Sequence, residues 1–357
     1  MPIIVPQKRN GPNYVQAIEP SNPKRGETWY DTENEIVKIF DGSVWLDTLC
    51  GPAGTPYGYY FAGADASGNL LSSIGKLDFP FDSGIANHVG NLSDSKSASG
   101  ACNSSYHGHC MGGKLGTVYS SKVERIQFPF ESGTVAGVGN LSGSRSYNSG
   151  CSCSTYGYSL GGYNGNTISI IDRLSFPFDT GTASYVGNLS TSRDANTSVN
   201  CSTYGYGLGG STSGVGVRSI IDRFQFPFDS GTVSNVGSLA SSGYSMAGCN
   251  SESYGFVLGL FNGTNELSTI FRISFPFDSG TANNVGNLTD AKHYGAGMNS
   301  TKYGYCCGGN SSAGPISSVD RIQFPFDTGT STRTGSIHTN IKQTAGCDQT
   351  DFVRLFV

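Results

Sequence analysis

Apolar and polar positions alternate along this chain in short runs, and the runs recur at a fixed period. Ile170-Ile171-Asp172-Arg173-Leu174-Ser175-Phe176 alternates as a half-buried β-strand does. It leads into the anchor F-P-F-[DE]-[ST]-G, which begins at Phe79, Phe128, Phe176, Phe226, Phe275 and Phe324, with spacings of 49, 48, 50, 49 and 49 residues. Upstream of each anchor stands a second signature, at Tyr57 to Gly63, His107 to Gly113, Tyr156 to Gly162, Tyr204 to Gly210, Tyr254 to Leu260 and Tyr303 to Gly309. A period of this length makes the 357 residues one repeated architecture rather than several unrelated domains. Each unit predicts four short strands. A Gly-Cys-Asn-Ser stretch is the first, the Tyr-Gly-Tyr-x-x-Gly-Gly signature the second, the alternating run the third, and the stretch around Asn-Leu-Ser the fourth. Asp179-Thr180-Gly181-Thr182 is expected as a hairpin turn, with glycine supplying positive φ. The proline of F-P-F lacks an N–H and belongs near a strand end.

The unit predicts a ring of β-sheets, because one such sheet cannot bury both faces alone while neighbours stacked around an axis can. Inner strands crowd that axis, which suits the Gly, Ala, Ser and Cys of the first strand. Six pairs of third and fourth strands are evident. Counting Gly346 to Thr350 and Asp351 to Val357 gives seven pairs of first and second strands. Residues 27–50, with Glu35 to Asp47 reading as a hairpin, offer a partner to 341–357, so a seventh unit closed by both chain ends is favoured. Six units with a separate N-terminal hairpin is the alternative. Closure would remove free sheet edges. Residues 1–26, rich in proline, are expected to be irregular.

Composition narrows the chemistry. The 51 glycines, 20 phenylalanines and 19 tyrosines suit tight turns between packed sheets. Charged residues are 13% and the net charge is -4, so no basic field favours nucleic acid. No apolar run reaches membrane-spanning length, and Met1 to Pro6 is too short for a secretory segment, so a soluble chain without membrane insertion is expected. The ten cysteines are expected to be reduced and buried. Cys102, Cys153, Cys201, Cys249 and Cys347, with Met298, fill one repeated slot, and Cys306-Cys307 and Cys151-Ser152-Cys153 are the reactive exceptions. His107-Gly108-His109-Cys110 breaks the repeat most sharply, but two imidazoles without a third ligand make a poor metal site. No metal or other cofactor is expected.

The unit resembles a Kelch repeat, whose second strand ends in a diglycine. Gly112-Gly113, Gly161-Gly162, Gly209-Gly210 and Gly308-Gly309 match it as structural residues, while Ala62-Gly63 and Gly259-Leu260 depart. The Kelch Trp is missing from these units, which marks a divergent subclass. The resemblance covers residues 57–357 and implies an all-β, Kelch-like β-propeller of four-stranded antiparallel blades. Pro20 to Asp47 resembles a hairpin segment found near the start of bacteriophage tail and tail-fibre proteins, and the F-P-F-D-S-G units resemble those of phage virion proteins. That likeness implies a non-enzymatic virion protein of the tail, made in the cytoplasm of the infected host. Its N-terminal segment would dock onto other tail proteins, oligomeric in the assembly, and its propeller would serve as scaffold or bind a host-surface glycan or protein.

The segments between second and third strands vary most and read as surface loops. Tyr163, Asn164, Phe261 and Asn262 lie in them as candidate ligand-binding residues, with groups suited to stacking on sugars. No residue is assigned a catalytic role, because most of the Tyr and Cys that copper chemistry like that of galactose oxidase would use sit at repeat-equivalent positions, and the turns resembling sialidase aspartate boxes occur in every unit. A Kelch-type protein-interaction adaptor is the alternative function, and a carbohydrate-active propeller enzyme a further one. The sequons at Asn91, Asn140, Asn188 and Asn287 belong to the repeat.

Overall fold

The computed structural model describes residues 14–16, 19–31, 36–40, 42–43, 45–47 and 56–349. The chain divides into two compact units, residues 1–56 with 350–357, and residues 57–349. In the smaller unit Tyr14–Gln16 lies parallel to Thr28–Asp31, which pairs antiparallel with Ile36–Phe40, itself paired with Trp45–Asp47. The expected hairpin is therefore present as part of a four-stranded sheet of its own. Residues 1–26, expected to be irregular, contribute its edge strand.

In the larger unit each repeat folds into an antiparallel meander of four strands. The second sheet is Gly100–Asn103, His107–Met111, Lys122–Gln127 and Gly137–Asn140, and the third is Ser149–Ser152, Tyr156–Tyr163, Thr167–Ser175 and Ser184–Asn188. The fourth is Thr197–Asn200, Tyr204–Leu208, Ile220–Gln225 and Ser234–Leu239, and the fifth Ala247–Asn250, Tyr254–Phe261, Glu266–Ser274 and Thr281–Asn287. The sixth is Ala296–Asn299, Tyr303–Cys307, Ser318–Gln323 and Thr332–Ser336. The first sheet takes strands Tyr57–Ala64, Leu70–Asp78 and Asn87–Lys96 from the beginning of the unit and its inner strand, Ala345–Asp348, from the end. The fourth and fifth sheets merge into eight strands because Ser238 and Leu239 pair in parallel with Thr281 and Ala282. Between other neighbours the same contact is a single parallel bridge, as at Asn91–Thr134, Asn140–Thr182 and Ile85–Ser336.

Every sheet holds the next by the same devices. Tyr59 stacks on Phe128, His109 on Phe176, Tyr158 on Phe226, Tyr206 on Phe275 and Phe256 on Phe324, at centroid distances of 5.2–5.4 Å. Tyr305 on Phe79, at 4.8 Å, joins the sixth sheet to the first. A second series runs in parallel: Lys76–Glu131, Arg125–Asp179, Arg173–Asp229, Arg223–Asp278, Arg272–Asp327 and Arg321–Asp82. The set is closed, so the sheets form a ring and the fold is all-β and propeller-like.

Four expectations change. Ala345–Asp348 pairs with Tyr57–Ala64, through Ala345↔Phe61 and Asp348↔Gly58, and not with residues 27–50. Among the described residues the pairing that motivated a seventh unit is therefore absent, because Ala345–Asp348 serves as the inner strand of the first sheet. The companion strand expected over Asp351 to Val357 lies outside the described residues. The F-P-F-[DE]-[ST]-G motif is a longer loop with a cis Phe-Pro peptide in every copy, rather than a tight hairpin. The cysteine slot is Cys102, Cys151, Val199, Cys249, Met298 and Cys347. Cys153 and Cys201 sit two residues further on, in the turn position that Ser104, Ser251 and Ser300 occupy elsewhere, where their N–H groups donate to the carbonyls of Tyr156 and Tyr204. The expected thiols do stay unpaired, for all nine described cysteines are free. Cys306 and Cys307 are not reactive exceptions: both are buried, which pushes the Cys306 thiol up to about 11 and that of Cys307 upward too.

Candidate functional site

The repeated residues are scaffold, so a site must be sought where the repeat breaks. Aligned on the first Phe of the anchor, the loops that carry the chain from one sheet to the next read Ser97-Ala98, Ser146-Tyr147, Asp194-Ala195, Tyr244-Ser245, His293-Tyr294 and Lys342-Gln343. No two are alike, yet their backbones are. Ala98, Tyr147, Ala195, Ser245, Tyr294 and Gln343 all lie in the left-handed region, with φ between 49° and 63°. Each donates its N–H to the carbonyl of the one before: Tyr147 to Ala98, Ala195 to Tyr147, Ser245 to Ala195, Tyr294 to Ser245, Gln343 to Tyr294 and Ala98 to Gln343, at 2.6–3.0 Å. Six hydrogen bonds thus close a ring around the centre. A left-handed non-glycine residue costs about 1 kcal/mol or more, and here every position keeps that conformation whatever its side chain. The loops form a rigid rim on which varied side chains are mounted.

Within this rim lies a central cavity of about 120 Å³, lined by the small residues of all six inner strands, among them Gly150, Ser198, Gly248, Gly297 and Gly346. A side chain at Gly297 would run into the Gly248 carbonyl, the crowding expected of strands around an axis. Tyr147 and Tyr294, from opposite sides of the ring, meet with centroids 6.1 Å apart, and Gln343 Nε2 donates to the Tyr147 hydroxyl at 2.9 Å. These three side chains close over the centre. Next to them Tyr294 packs on His293 at 4.5 Å, His293 on Phe261 at 5.2 Å, and Phe261 edge-on against Tyr244 at 5.4 Å. Aromatic surface therefore covers one side of the mouth.

Its electrostatics are equally uneven. Burial raises the carboxyl of Asp194 to about 6, opposed only by its own backbone N–H. Burial also raises the phenol of Tyr147, and the phenol of Tyr244 for the same first reason, with Tyr294 and the charge of Asp194 adding to it. His293 is lowered by burial, although Glu266 Oε1 lies 3.9 Å from its Nδ1.

The residues expected to bind from sequence are divided by this geometry. Phe261 joins the aromatic side of the mouth. Tyr163 lies in the third sheet, edge-on against Tyr119 at 5.7 Å, with its backbone bridged to Ser146. Asn164 is exposed in the same hairpin. The Asn262 oxygen accepts the N–H groups of Thr264 and Asn265 at 2.9 and 2.8 Å, so it shapes its own turn. The diglycines end their strands with both residues at positive φ, for example 66° and 113° at Gly112 and Gly113. His109, the sharpest break in sequence, is a packing residue: it is fully buried, its ring nitrogens have no hydrogen-bond partner, and burial holds its pKa down to about 3. Among the described residues no group of three His, Cys, Asp or Glu is placed to hold a metal ion. Tyr147, Asp194, Tyr244, His293, Tyr294 and Gln343 escaped sequence reasoning. Their signal was disagreement among aligned units at two adjacent positions inside an otherwise constant segment. No family model matches the chain, and no curated protein does, so the argument for what this mouth does rests on its own residues.

Proposed function

We propose that the chain is a non-enzymatic binding module, a six-bladed Kelch-like β-propeller whose axial mouth contacts a surface ligand and whose small N-terminal sheet serves attachment. The observation that carries this reading is the division of labour in the repeat. The ring stacks and the outer ion pairs between sheets recur around the ring, whereas the hydrogen-bonded rim holds six different side-chain pairs on one backbone conformation. A constant frame presenting variable groups is how binding surfaces are built. Among the described residues the small sheet shares no strand with the ring, which suits a separate docking element. The resemblance of Pro20 to Asp47 to phage tail segments makes the tail of a virion the proposed setting, with host-surface glycan as the ligand class and other tail proteins as neighbours.

The test is to incubate the purified chain with host-cell surface polysaccharide and follow both co-sedimentation and release of reducing ends. Binding without release is expected. Release would make the carboxyl of Asp194, poised near 6, an acid–base group and overturn the non-enzymatic reading. Absence of the chain from purified virions, by mass spectrometry, would overturn the tail setting.

A further inference from the structure

We propose that the axial mouth recognises an organic cation, an alkylated ammonium group seated against Asp194 and the faces of Tyr147, Tyr244 and Tyr294; this deepens the binding-module reading and rests on it. These four side chains come from four different inter-sheet loops, and the rim holds them together. Tyr147 and Tyr294 meet at 6.1 Å, and the rim bonds from the Ala195 N–H to the Tyr147 carbonyl at 2.8 Å and from the Ser245 N–H to the Ala195 carbonyl at 2.7 Å set the Asp194 loop between those of Tyr147 and Tyr244. The carboxylate is partly buried, yet no ion pair among the described residues involves it. That sets it apart from four carboxylates buried between sheets that each have their own cation: Glu124 with Lys96, Asp172 with Arg145, Asp222 with Arg193 and Asp320 with Lys292.

The other charged groups of this face are engaged or lie elsewhere on the rim. Arg193 belongs to Asp222, Arg218 gives its Nε to Thr212 Oγ1, Glu266 lies beside His293, and Lys342 stands on the loop between the sixth and first sheets. A partly buried carboxylate on a rim that also carries tyrosine rings attracts a cation, and aromatic faces add to the hold on a quaternary ammonium. The chain itself uses this chemistry. Lys76, Arg173, Arg223, Arg272 and Arg321 each stand over a tyrosine ring, at 4.2–4.6 Å, while pairing with a carboxylate. At the mouth the tyrosines and the carboxylate are present and the cation is left to the ligand. A neutral sugar would satisfy the rings but not the charge.

The experiment is calorimetric titration of the full chain with choline at neutral pH and fixed ionic strength, with dimethylbutanol as the uncharged isostere and methyl glucoside as a neutral sugar. Saturable binding of choline and none of the isostere is expected. Asp194→Asn should weaken it by about tenfold or more, the equivalent of about 1.4 kcal/mol, and Tyr294→Leu should weaken it as well. A thermal melt matching the parent's will show that each variant still folds. Binding should also fade as pH drops through about 6, where the Asp194 carboxyl takes up its proton. Binding of the neutral sugar without choline would overturn the cation inference and leave the binding module standing. Equal binding of choline by parent and Asp194→Asn, or no binding of choline at all, would overturn it too.

Discussion

Single positions show how closely the repeat is tuned to its neighbours. Tyr59, Tyr158, Tyr206 and Tyr305 do two jobs, stacking on the next sheet's Phe and accepting, at the phenol oxygen, the N–H of Phe130, Phe228, Phe277 and Phe81. His109 does only the first. Buried without a partner, its imidazole stays neutral in the folded ring until pH falls to about 3, whereas an unfolded chain protonates it near 6.5. Between those values the unfolded state binds more protons, so stability contributed at neutral pH is lost as pH falls from about 6.5 toward 3. His109→Tyr restores the residue of four of the other five units, the fifth having Phe256, and supplies a phenol oxygen to this interface. Calorimetry should show a gain of about 1 kcal/mol at neutral pH and a margin over the parent that widens as the solution is acidified. A margin independent of pH would mean that the imidazole is hydrated in the folded ring.

At the scale of elements, the contact between neighbouring sheets is a set of residues that changes as a whole. Between the third and fourth sheets Arg193 and Asp222 are buried together, the Ser190 N–H donates to Asp222 at 2.9 Å and its hydroxyl donates to the same carboxylate at 2.5 Å. Gly207 leaves room for the guanidinium, whose Nη2 lies 3.2 Å from where a Cβ there would sit. Where the cation is the slimmer lysine, at Lys96 and Lys292, the facing residue is Cys110 or Cys306 instead of Ser159 or Gly207. Between the fourth and fifth sheets every member is exchanged: Ala240, Gly243, Val257 and Phe271 stand at these positions. Leu260 replaces the second glycine of the diglycine and fills the space beside Gly243. Between the sixth and first sheets the set is His338, Ile341, Tyr60 and Gly75, with the Tyr60 ring occupying the place a Gly75 side chain would need and its hydroxyl bonded to His338 Nδ1. Phe271→Asp alone would bury an unpaired carboxylate in a cavity and should cost about 3–5 kcal/mol in denaturant titration. Ala240→Ser, Gly243→Arg, Val257→Gly, Leu260→Gly and Phe271→Asp together recreate the Ser190–Arg193–Asp222 set and should recover all but about 1–2 kcal/mol of that loss. Failure of the combined variant to recover would show that the exchange is not what stabilises the interface. These couplings were not legible in the sequence as partners, because each joins one unit to the next and spacing within a unit says nothing about contacts between units. The strands were legible, since period-two alternation and glycine-bounded runs are local. The Leu260 departure was visible as a mismatch but had no meaning until Gly243 was seen beside it.

For the molecule as a whole, closure is the feature that the chain's pattern left ambiguous. Gly346-Cys347-Asp348 reads as an inner strand, and a strand needs a sheet. Tyr57–Ala64 was already counted in a unit, so residues 27–50 looked like the available partner. In the structure the last inner strand, Ala345–Asp348, is the partner of Tyr57–Ala64 in the first unit. The mouth was hidden for a related reason, because its residues are scattered over about 250 positions of sequence and are collected only when six loops are drawn onto one rim. Closure binds the ends of the larger unit by backbone pairing, by Ile341 against Tyr60, and by Gln343 completing the hydrogen-bonded rim. Deleting residues 341–357 removes all three at once. It exposes the inner edge of Tyr57–Ala64 and breaks the rim at two of its six bonds, so the truncated chain should lose its cooperative melt and aggregate through the open edge. Deleting residues 1–56 takes away a sheet that, among the described residues, shares no strand with the ring. That variant should keep a single cooperative transition within a few degrees of the parent, because each ring interface and every rim bond is retained. Calorimetry with light scattering separates the two cases. If the N-terminal deletion collapses the transition as completely as the C-terminal one, the small sheet is part of what holds the ring together rather than a separate docking element.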